Sequence, residues 1–435
     1  MAVTASAAAL PRLSLGEIEE QPLDALTKGV PPAAKLRLGD VGKQGWNVLA
    51  GDMPLPLAVI RESVLKANSA WMGAFTAAND LWIAPHGKTT MAPQLFDLQI
   101  ADGAWAITVA TMQQLAVARH FGVKRVILAN QPVGRQEVAA CFEALRDPGF
   151  ELYCLADSLP GVALLAEAAR TQGEANPLRI LVEIGFMGGR TGARSREEAL
   201  AVARAVAAAP GLRLAGFECF EGLISDTAGA DRLLGEVVAV AVAAEGEGLL
   251  GADPLVLSAG GTSLFDRAGE AFNAVAFSRP LIKLLRSGCY LTHDSTVYSA
   301  AFRRITLETS LKLPPGGLAP ALEVWAYVQS RPERGRSLLT VGKRDISFDS
   351  GMPVPLRWFR PGGAMARPEL MPAGHTVLAL NDQHCHLGTP EESPLQVGDM
   401  VAFGIGHPCT TFDKWAVLML VDDDYRVIGA IRTFF

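Results

Sequence analysis

The chain has 435 residues, a length that suggests two or three domains. It is 49% hydrophobic and 19% charged, which excludes disorder throughout. The net charge of −6 provides no overall positive field for nucleic acid or an anionic membrane. No apolar run reaches the roughly 18 residues of a membrane span, and the longest candidate, Val237–Ala244, is flanked by glutamates.

The N-terminus and the cysteines both indicate a cytoplasmic protein. The first ten residues are mostly apolar, but no basic residue precedes them, so we expect a loose tail and no secretory signal. Six cysteines are scattered along a chain that is long enough to fold without disulfides. We therefore expect reduced thiols. Of the six, only Cys409 has a neighbour at a spacing that suggests chemistry.

Short β-rich apolar runs alternate with Ala- and Leu-rich helical patterns up to residue 312. Eight strands are predicted: Leu81–Ala84, Trp105–Val109, Arg125–Ala129, Glu151–Leu155, Arg179–Ile184, Leu212–Phe217, Pro254–Leu257 and Leu284–Leu291. The helical patterns include Met112–Phe121, Arg135–Leu145, Arg196–Ala208 and Asp231–Ala244. This alternation is typical of an α/β fold, and eight strands favour a TIM-type (β/α)₈ barrel over a doubly wound sheet.

The pattern changes at a Pro/Gly cluster, residues 313–317, which we interpret as a linker. Beyond it lie the strand-like runs Leu322–Ser330, Ser337–Val341, His375–Leu380, Met400–Ile405, Ala416–Val421 and Arg426–Phe434, with Asp422–Asp424 as a hairpin tip. Residues 51–312 are therefore predicted to form the barrel, and residues 313–435 a mostly antiparallel β domain. Residues 1–50 are an N-terminal extension that could add a strand or two to the β domain.

Lys88 is the first candidate for chemistry, because it directly follows the first predicted barrel strand. The carboxyl ends of the strands form the active-site face of such barrels. A lysine that loses solvent there has a lowered pKa, as a Schiff-base lysine requires. An exposed loop lysine is the alternative, which the strand-end position and the flanking Pro85 and Gly87 disfavour.

Two glycine-rich loops provide candidate anion sites. After the seventh strand, Gly260 and Gly261 leave backbone N–H groups open to a phosphate, and Thr262 adds a hydroxyl. After the fifth strand, Arg190 stands among glycines, where a guanidinium can orient a phenolate, a carboxylate or a phosphate. The alternatives are an ordinary βα turn and a surface arginine.

Two segments of the β domain carry possible metal ligands. In an extended backbone, His407 and Cys409 point the same way, and imidazole with thiolate is a good pair for zinc. The alternative is a packed histidine and a buried cysteine. The other segment holds His384, Cys385 and His386, for which metal binding, substrate orientation and an exposed turn all remain open.

Together these features resemble the fold-type III pyridoxal-phosphate enzymes, the alanine racemase-like barrels, and within them the D-serine dehydratase / D-threonine aldolase family. The resemblance extends from about residue 35 to the end. Pro85–Thr89 matches the family's Pro-His-x-Lys-Thr signature, which implies that Lys88 forms the Schiff base. Gly189–Gly192 resembles the family's Asn-Arg-Thr-Gly segment, and Ser258–Thr262 its phosphate turn. Tyr290 lies in a Gly-x-Tyr segment that implies a cofactor contact near the phosphate, with a packed aromatic as the alternative.

The family's Pro-Asn-His-x-Cys-x-Thr motif maps onto residues 405–411, which moves the predicted metal site to His407 and Cys409. Its Glu-His-Gly segment aligns with His384, which implies a catalytic place near the site and not on the metal. Two departures bear on the substrate. Phe220 stands where the family often has a cofactor-facing tyrosine, and Gly406 replaces the asparagine of the metal motif.

The resemblance implies a deaminating dehydratase that needs pyridoxal phosphate and a divalent metal, with zinc favoured by the thiolate. Its substrate would be D-serine or a related β-hydroxy D-amino acid. In relatives, a carboxylate at the Cys409 position accompanies aldolase chemistry, so Cys409 favours dehydration. The alternatives are retro-aldol cleavage to glycine and an aldehyde, racemisation, and a non-catalytic pyridoxal-phosphate protein that resembles the barrel alone. The resemblance also implies a homodimer.

Overall fold

Eight parallel strands curl into a closed barrel in the computed structural model, which describes residues 9–172 and 176–435. In chain order the strands are Trp82–Ile83, Ile107–Val109, Arg125–Leu128, Glu151–Ala156, Leu178–Ile184, Leu212–Cys219, Leu255–Ala259 and Leu281–Leu285. From the second strand onward each pairs with the next, and the eighth pairs with the first. The ring closes where Thr108 N donates to Pro85 O at 2.9 Å. The predicted barrel is confirmed.

Helices cover the outside of the barrel because each has one apolar face and one polar face. Their bounds are Glu62–Ala78, Pro93–Ala101, Met112–His120, Arg135–Ala144, Leu159–Gln172, Arg196–Ala208, Thr227–Gly246, Phe265–Asn273 and Val297–Glu308. In Arg196–Ala208, the Ser195 side chain caps the helix by accepting from Glu198 N. Its buried positions recur at helical spacing, as in Ala199, Val202, Ala203 and Val206. No helix in the described part is both long and apolar enough to span a bilayer.

The eighth barrel strand differs from its prediction. The predicted run, Leu284–Leu291, begins too late and ends too late, since the strand is Leu281–Leu285. After Arg286 the chain leaves the sheet and passes close to the turn that carries Lys88. A Cβ added at Gly288 would lie 2.6 Å from Thr89 Oγ1, so glycine is required for this approach. The prediction was wrong because the loop after the strand is itself buried and therefore apolar.

The β domain is organised around one long strand, Leu322–Glu333. It pairs antiparallel with Met400–Gly404, with Leu57–Arg61 and with Arg336–Leu339. The remaining strands are Val354–Phe359, Glu369–Leu370, Thr376–Leu380, Cys385–Gly388, Val417–Val421 and Val427–Arg432. The pairing of Val417–Val421 with Leu57–Arg61 is parallel, and the other pairings of this sheet are antiparallel. The mostly antiparallel domain is confirmed, with Asp422–Asp424 at a hairpin turn.

The N-terminal region meets the β domain first at an isolated antiparallel bridge between Asn47 and Arg426, and it adds a full strand to the sheet only after residue 50. Leu57–Arg61 joins the β-domain sheet before the barrel begins, so a boundary at residue 51 leaves one β-domain strand on the barrel side. Earlier, Pro22–Leu23 and Leu36–Arg37 form a two-stranded sheet of their own. Short helical segments span Gly16–Glu19 and Leu38–Lys43. Most of the predicted tail, residues 1–8, lies outside the described residues.

Candidate active site

Lys88 lies at the barrel mouth in a short 3₁₀ turn, Gly87–Thr89, directly after the first strand. Its side chain is half-buried, and its amine has no hydrogen bond or ion pair to any residue that the structure describes. Burial is the main cause that lowers the pKa of Lys88. The nearby charges of Arg190 and Arg286 lower this pKa further, whereas Cys409 raises it. A desolvated amine with no partner is suited to Schiff-base chemistry.

Arg286 and Glu218 form a buried pair across the mouth that the sequence did not predict. The guanidinium donates to the Glu218 carboxylate and, at 3.0 Å, to Cys219 O. Burial raises the pKa of Glu218 to about 8, because complete loss of solvent outweighs the attraction of one guanidinium. The sequence did not mark Arg286 as a site residue, because the predicted eighth strand placed it inside the sheet. With the strand end at Leu285, an arginine directly after a barrel strand would have indicated a site residue.

Several buried polar atoms at this mouth have no hydrogen-bond partner among the described residues. They are His86 Nδ1, Glu218 Oε1, Ser258 Oγ and Arg286 Nη1. Buried polar atoms in proteins are nearly always paired, so a cluster of unpaired ones indicates a place for a polar ligand. Burial also lowers the pKa of His86 well below its usual value, which keeps that ring neutral.

In the glycine turn after the seventh strand, the backbone amides that were predicted to bind a phosphate are bound by the side chain of Glu221. Gly260 has φ +84°, a backbone conformation that suits glycine. The amides of Gly260 and Gly261 donate to the carboxylate of Glu221, at 3.3 Å and 2.7 Å. The amide of Thr262 donates to no described residue, and this residue lies just before the helix Phe265–Asn273. Glu221 therefore fixes the turn, and Thr262 presents a free donor.

Arg190 is held over an aromatic ring. Its guanidinium lies 4.3 Å from the ring centroid of Phe220, a cation–π contact. The loop around it is anchored by Thr191 Oγ1, which donates to Glu183 Oε1 at 2.8 Å, and by Arg194 Nη1, which donates to Thr191 O at 2.6 Å. Phe220, at the position where the resemblance implies a tyrosine, thus supports a cation beside the mouth.

The two predicted metal ligands lie side by side. His407 Nδ1 is 2.6 Å from Asp349 Oδ2, and the second oxygen of Asp349 accepts from Thr410 Oγ1 at 2.6 Å. Hydrogen bonding to Cys409 is the main cause that raises the pKa of His407 to about 9. A carboxylate that orients an imidazole is typical of metal-binding histidines. Asp349 was missed because it is 58 residues from His407, with no local pattern to mark it.

Folding brings this metal pair to the lysine turn. Cys409 Sγ lies 3.4 Å from Thr89 Oγ1, although the two residues are 320 positions apart. It also lies 3.6 Å from Cys289 Sγ, and hydrogen bonding to Cys289 is the main cause that lowers the pKa of the Cys409 thiol. Within residues 9–172 and 176–435, no three His, Cys, Asp or Glu side chains already form a complete metal-binding group.

Two predicted site residues occupy other surroundings. Tyr290 is 2% exposed in the main core, where its hydroxyl accepts from Gln99 Nε2 at 3.0 Å. This is the packed aromatic that the sequence left as the alternative. His384 is exposed at a hairpin tip, and its backbone oxygen accepts from Asn381 N at 2.8 Å. No contact among the described residues joins His384 to Lys88. His386 lies 2.6 Å from Asn381 Oδ1 through Nε2.

Comparisons with known proteins match both parts of this architecture. The alanine racemase N-terminal domain family matches residues 64–278, and the putative serine dehydratase domain family matches residues 321–421. The chain is 25% identical to a 3-hydroxy-D-aspartate aldolase of Paracoccus denitrificans (strain Pd 1222) over 69% of its length and 75% of that protein. Its fold is that of the D-threonine aldolase from Filomicrobium marinum, with a TM-score of 0.72, 22% identity and coverage of 89% and 97%.

A further solved relative in fold is the D-threo-3-hydroxyaspartate dehydratase from Delftia sp. HT23, with a TM-score of 0.67, 22% identity and coverage of 89% and 99%. A cysteine-to-alanine variant of such a dehydratase is described in a metal-free form. The barrel, the lysine at its mouth and the C-terminal β domain define a fold-type III, alanine racemase-like protein. The chain belongs to the D-serine dehydratase / D-threonine aldolase family of pyridoxal-phosphate-dependent lyases.

The residues present fit pyridoxal phosphate. Lys88 offers an unpartnered amine, and the unpaired guanidinium nitrogen of Arg286 offers positive charge. Thr262 offers a free backbone donor before a helix, where phosphates bind favourably. The mouth thus combines an amine nucleophile with donors for an anionic, polar cofactor. Contacts of Gly260 and Gly261 with the phosphate remain predictions.

Proposed function

We propose that this protein uses pyridoxal phosphate and a divalent metal to dehydrate and deaminate D-serine or a related β-hydroxy D-amino acid. The products are a 2-oxo acid and ammonia. The observation that carries the proposal is the 3.4 Å approach of Cys409 Sγ to Thr89 Oγ1, the residue next to Lys88. β-Elimination needs one group that acts on the α-carbon and another that acts on the β-hydroxyl. This approach supports both functions at one barrel mouth.

Each residue has a role that follows from its surroundings. The amine of Lys88, whose pKa is lowered mainly by burial, takes the α-proton, because a larger share of it is neutral near pH 7. Arg190 and Arg286 supply positive charge for anionic groups of the substrate and the cofactor. When bound, pyridoxal phosphate supplies an electron sink for the charge left at the α-carbon.

His407 and Cys409 would hold the metal, which supplies Lewis acidity toward the β-oxygen. Asp349 orients the imidazole of His407 and so leaves its Nε2 free for the metal. An imidazole with a thiolate favours zinc over the harder divalent ions. The description of one D-threo-3-hydroxyaspartate dehydratase structure as a metal-free form supports metal binding by this fold.

Retro-aldol cleavage is the second candidate. The relative from Paracoccus denitrificans is named an aldolase, which is the observation that favours it. The same groups would serve, but the proton would leave the β-hydroxyl, and the Cα–Cβ bond would break to release glycine and an aldehyde. A non-catalytic pyridoxal-phosphate protein is disfavoured, because such a protein has no need for a β domain that places Cys409 against the Lys88 turn.

Product analysis with D-threonine separates the two reactions, with pyridoxal phosphate and zinc supplied. Dehydration yields ammonia and 2-oxobutanoate, whereas retro-aldol cleavage yields glycine and acetaldehyde. We expect ammonia and 2-oxobutanoate, and no product from Lys88→Ala. The proposal is wrong if D-threonine, D-serine and D-3-hydroxyaspartate all give no ammonia. Full elimination activity in His407→Ala would remove the metal from the proposal.

We also propose that the protein is a cytoplasmic homodimer in which the β domain of one subunit lies near the barrel mouth of the other. The exposed hairpin that carries His384 supports this arrangement, because His384 has no contact with the site of its own chain among the described residues. Its catalytic role then depends on the second subunit. Sedimentation tests the dimer, and loss of activity in His384→Ala without loss of cofactor tests the role.

A further inference from the structure

A third thiol lies beside the metal pair. Cys289 belongs to the buried loop after the eighth barrel strand and is 6% exposed. Its Sγ lies 3.6 Å from Cys409 Sγ and 3.9 Å from Thr89 Oγ1. Cys289 and Cys409 are 120 positions apart and come from different domains, so only the fold brings them together. The reaction proposed above gives Cys289 no role.

The separation of the two sulfurs matches that of two ligands on one ion. In tetrahedral zinc sites a Zn–S bond of about 2.3 Å places two sulfur ligands about 3.8 Å apart. The observed 3.6 Å agrees with this edge to within about 0.2 Å, the tolerance expected for a metal site. Cys409 is also only two residues from His407 in the chain, so it is the member that lies next to both other donors.

We propose that Cys289 is the third protein ligand of the metal, so that Cys289, Cys409 and His407 together bind one zinc ion. The inference rests on the proposed function, because it takes the metal pair from there. Both thiols lose their protons to solvent as the two Zn–S bonds form. The three donors do not yet converge on one point. Binding of zinc would therefore require the side chains of His407 and Cys289 to turn toward Cys409.

A third ligand changes what the metal does. Two thiolates and one imidazole cancel the double charge of zinc and leave one position open, as in catalytic zinc sites with three protein ligands. An ion held in this way would have room for the β-hydroxyl of the substrate but not for its carboxylate as well. That carboxylate is left to the cations at the mouth, Arg190 and Arg286. The hydroxyl of Thr89, which approaches both sulfurs, lies where it can donate to the thiolates.

The first test counts the sulfurs bound to zinc. X-ray absorption at the zinc edge, on the full-length protein loaded with pyridoxal phosphate and one equivalent of zinc, is expected to show two sulfur ligands. In Cys289→Ser we expect one. A single sulfur in the unmodified protein overturns this inference but leaves the proposed function intact. An unmodified protein that binds no zinc overturns both.

The second test measures zinc affinity by competition with a chromophoric chelator. Cys289→Ala is expected to weaken zinc binding by at least about 10-fold, since even loss of an outer partner of a metal ligand costs 10–100-fold. Cys385→Ala is the matched control, because Cys385 is, like Cys289, a buried free thiol; it lies in the β domain that carries His407 and Cys409, and its loss is expected to leave the affinity unchanged.

The absorbance of cofactor bound at Lys88 reports whether each variant keeps an intact barrel. Unchanged zinc affinity together with an unchanged sulfur count in Cys289→Ala and Cys289→Ser overturns the inference. If neither variant binds the cofactor, the sulfur count of the unmodified protein decides the question by itself.

Discussion

Replacement of Tyr290 by phenylalanine distinguishes a cofactor ligand from a core residue. The resemblance implies that Tyr290 contacts the cofactor phosphate. In the structure its hydroxyl instead accepts from Gln99 Nε2 at 3.0 Å, and the two side chains are 2% and 4% exposed. Tyr290→Phe removes only this oxygen and keeps the ring in the core. We therefore expect a loss of stability and no loss of cofactor affinity.

The expected loss follows from the unpaired donor that remains. An exchanged neutral hydrogen bond contributes about 0.5–1.5 kcal/mol, but a buried donor left without a partner costs about 1–3 kcal/mol. Gln99 lies in the helix Pro93–Ala101, behind Tyr290, where water has little access. We expect Tyr290→Phe to reduce the free energy of unfolding by about 1–3 kcal/mol. Adding Gln99→Met removes the stranded donor, so the double variant should regain part of that loss.

Urea-induced unfolding of the four proteins of this cycle measures the stability, and titration of the cofactor absorbance measures the affinity for pyridoxal phosphate. A positive coupling between Tyr290 and Gln99 with constant cofactor affinity supports the core assignment. A fall of tenfold or more in cofactor affinity, with unchanged stability, would refute the reasoning. It would place the phenol on the phosphate, as the resemblance implies.

Three further predictions concern the mouth. Glu221→Ala leaves the amides of Gly260 and Gly261 without an acceptor, so we expect the free energy of unfolding to fall by about 1–3 kcal/mol. Urea-induced unfolding measures this loss, and no change would mean that the turn does not depend on this carboxylate. Asp349→Asn weakens the support of the His407 ring, so zinc affinity should fall about 10–100-fold by chelator competition, and equal affinity would contradict this role. Burial lowers the pKa of Lys88, so the rate at which the cofactor-free protein captures pyridoxal phosphate should rise with pH, with a midpoint below 10.5. In Arg190→Leu that midpoint should move upward, because a neighbouring positive charge that favours the neutral amine is removed; a downward shift would contradict the assignment.

The sequence by itself was sufficient for the architecture. Continuous apolar runs mark the buried parallel strands, and apolar residues at helical spacing mark the amphipathic helices. These patterns are local to each segment, so they can be recognised without knowledge of the fold. The helix Arg196–Ala208 has the predicted bounds because its cap, Ser195, directly precedes it and its apolar spacing lies within it. Lys88 could be identified for a similar reason, since the sequence shows that it directly follows a predicted strand.

The composition of the site was decided by tertiary structure. Apolar residues in a buried loop resemble those in a strand, so the sequence placed Arg286 inside the sheet and missed its pairing with Glu218. The amides of the glycine turn looked open, because nothing local shows that Glu221, 40 residues before Gly261, accepts from them.

The approach of Cys409 to Thr89 and Cys289 joins two domains across 320 and 120 residues. Local patterns show which side chains are chemically able to act. Which of these side chains come into contact depends on the packing of distant segments, because the course of a loop after a strand end is not determined by a local sequence pattern.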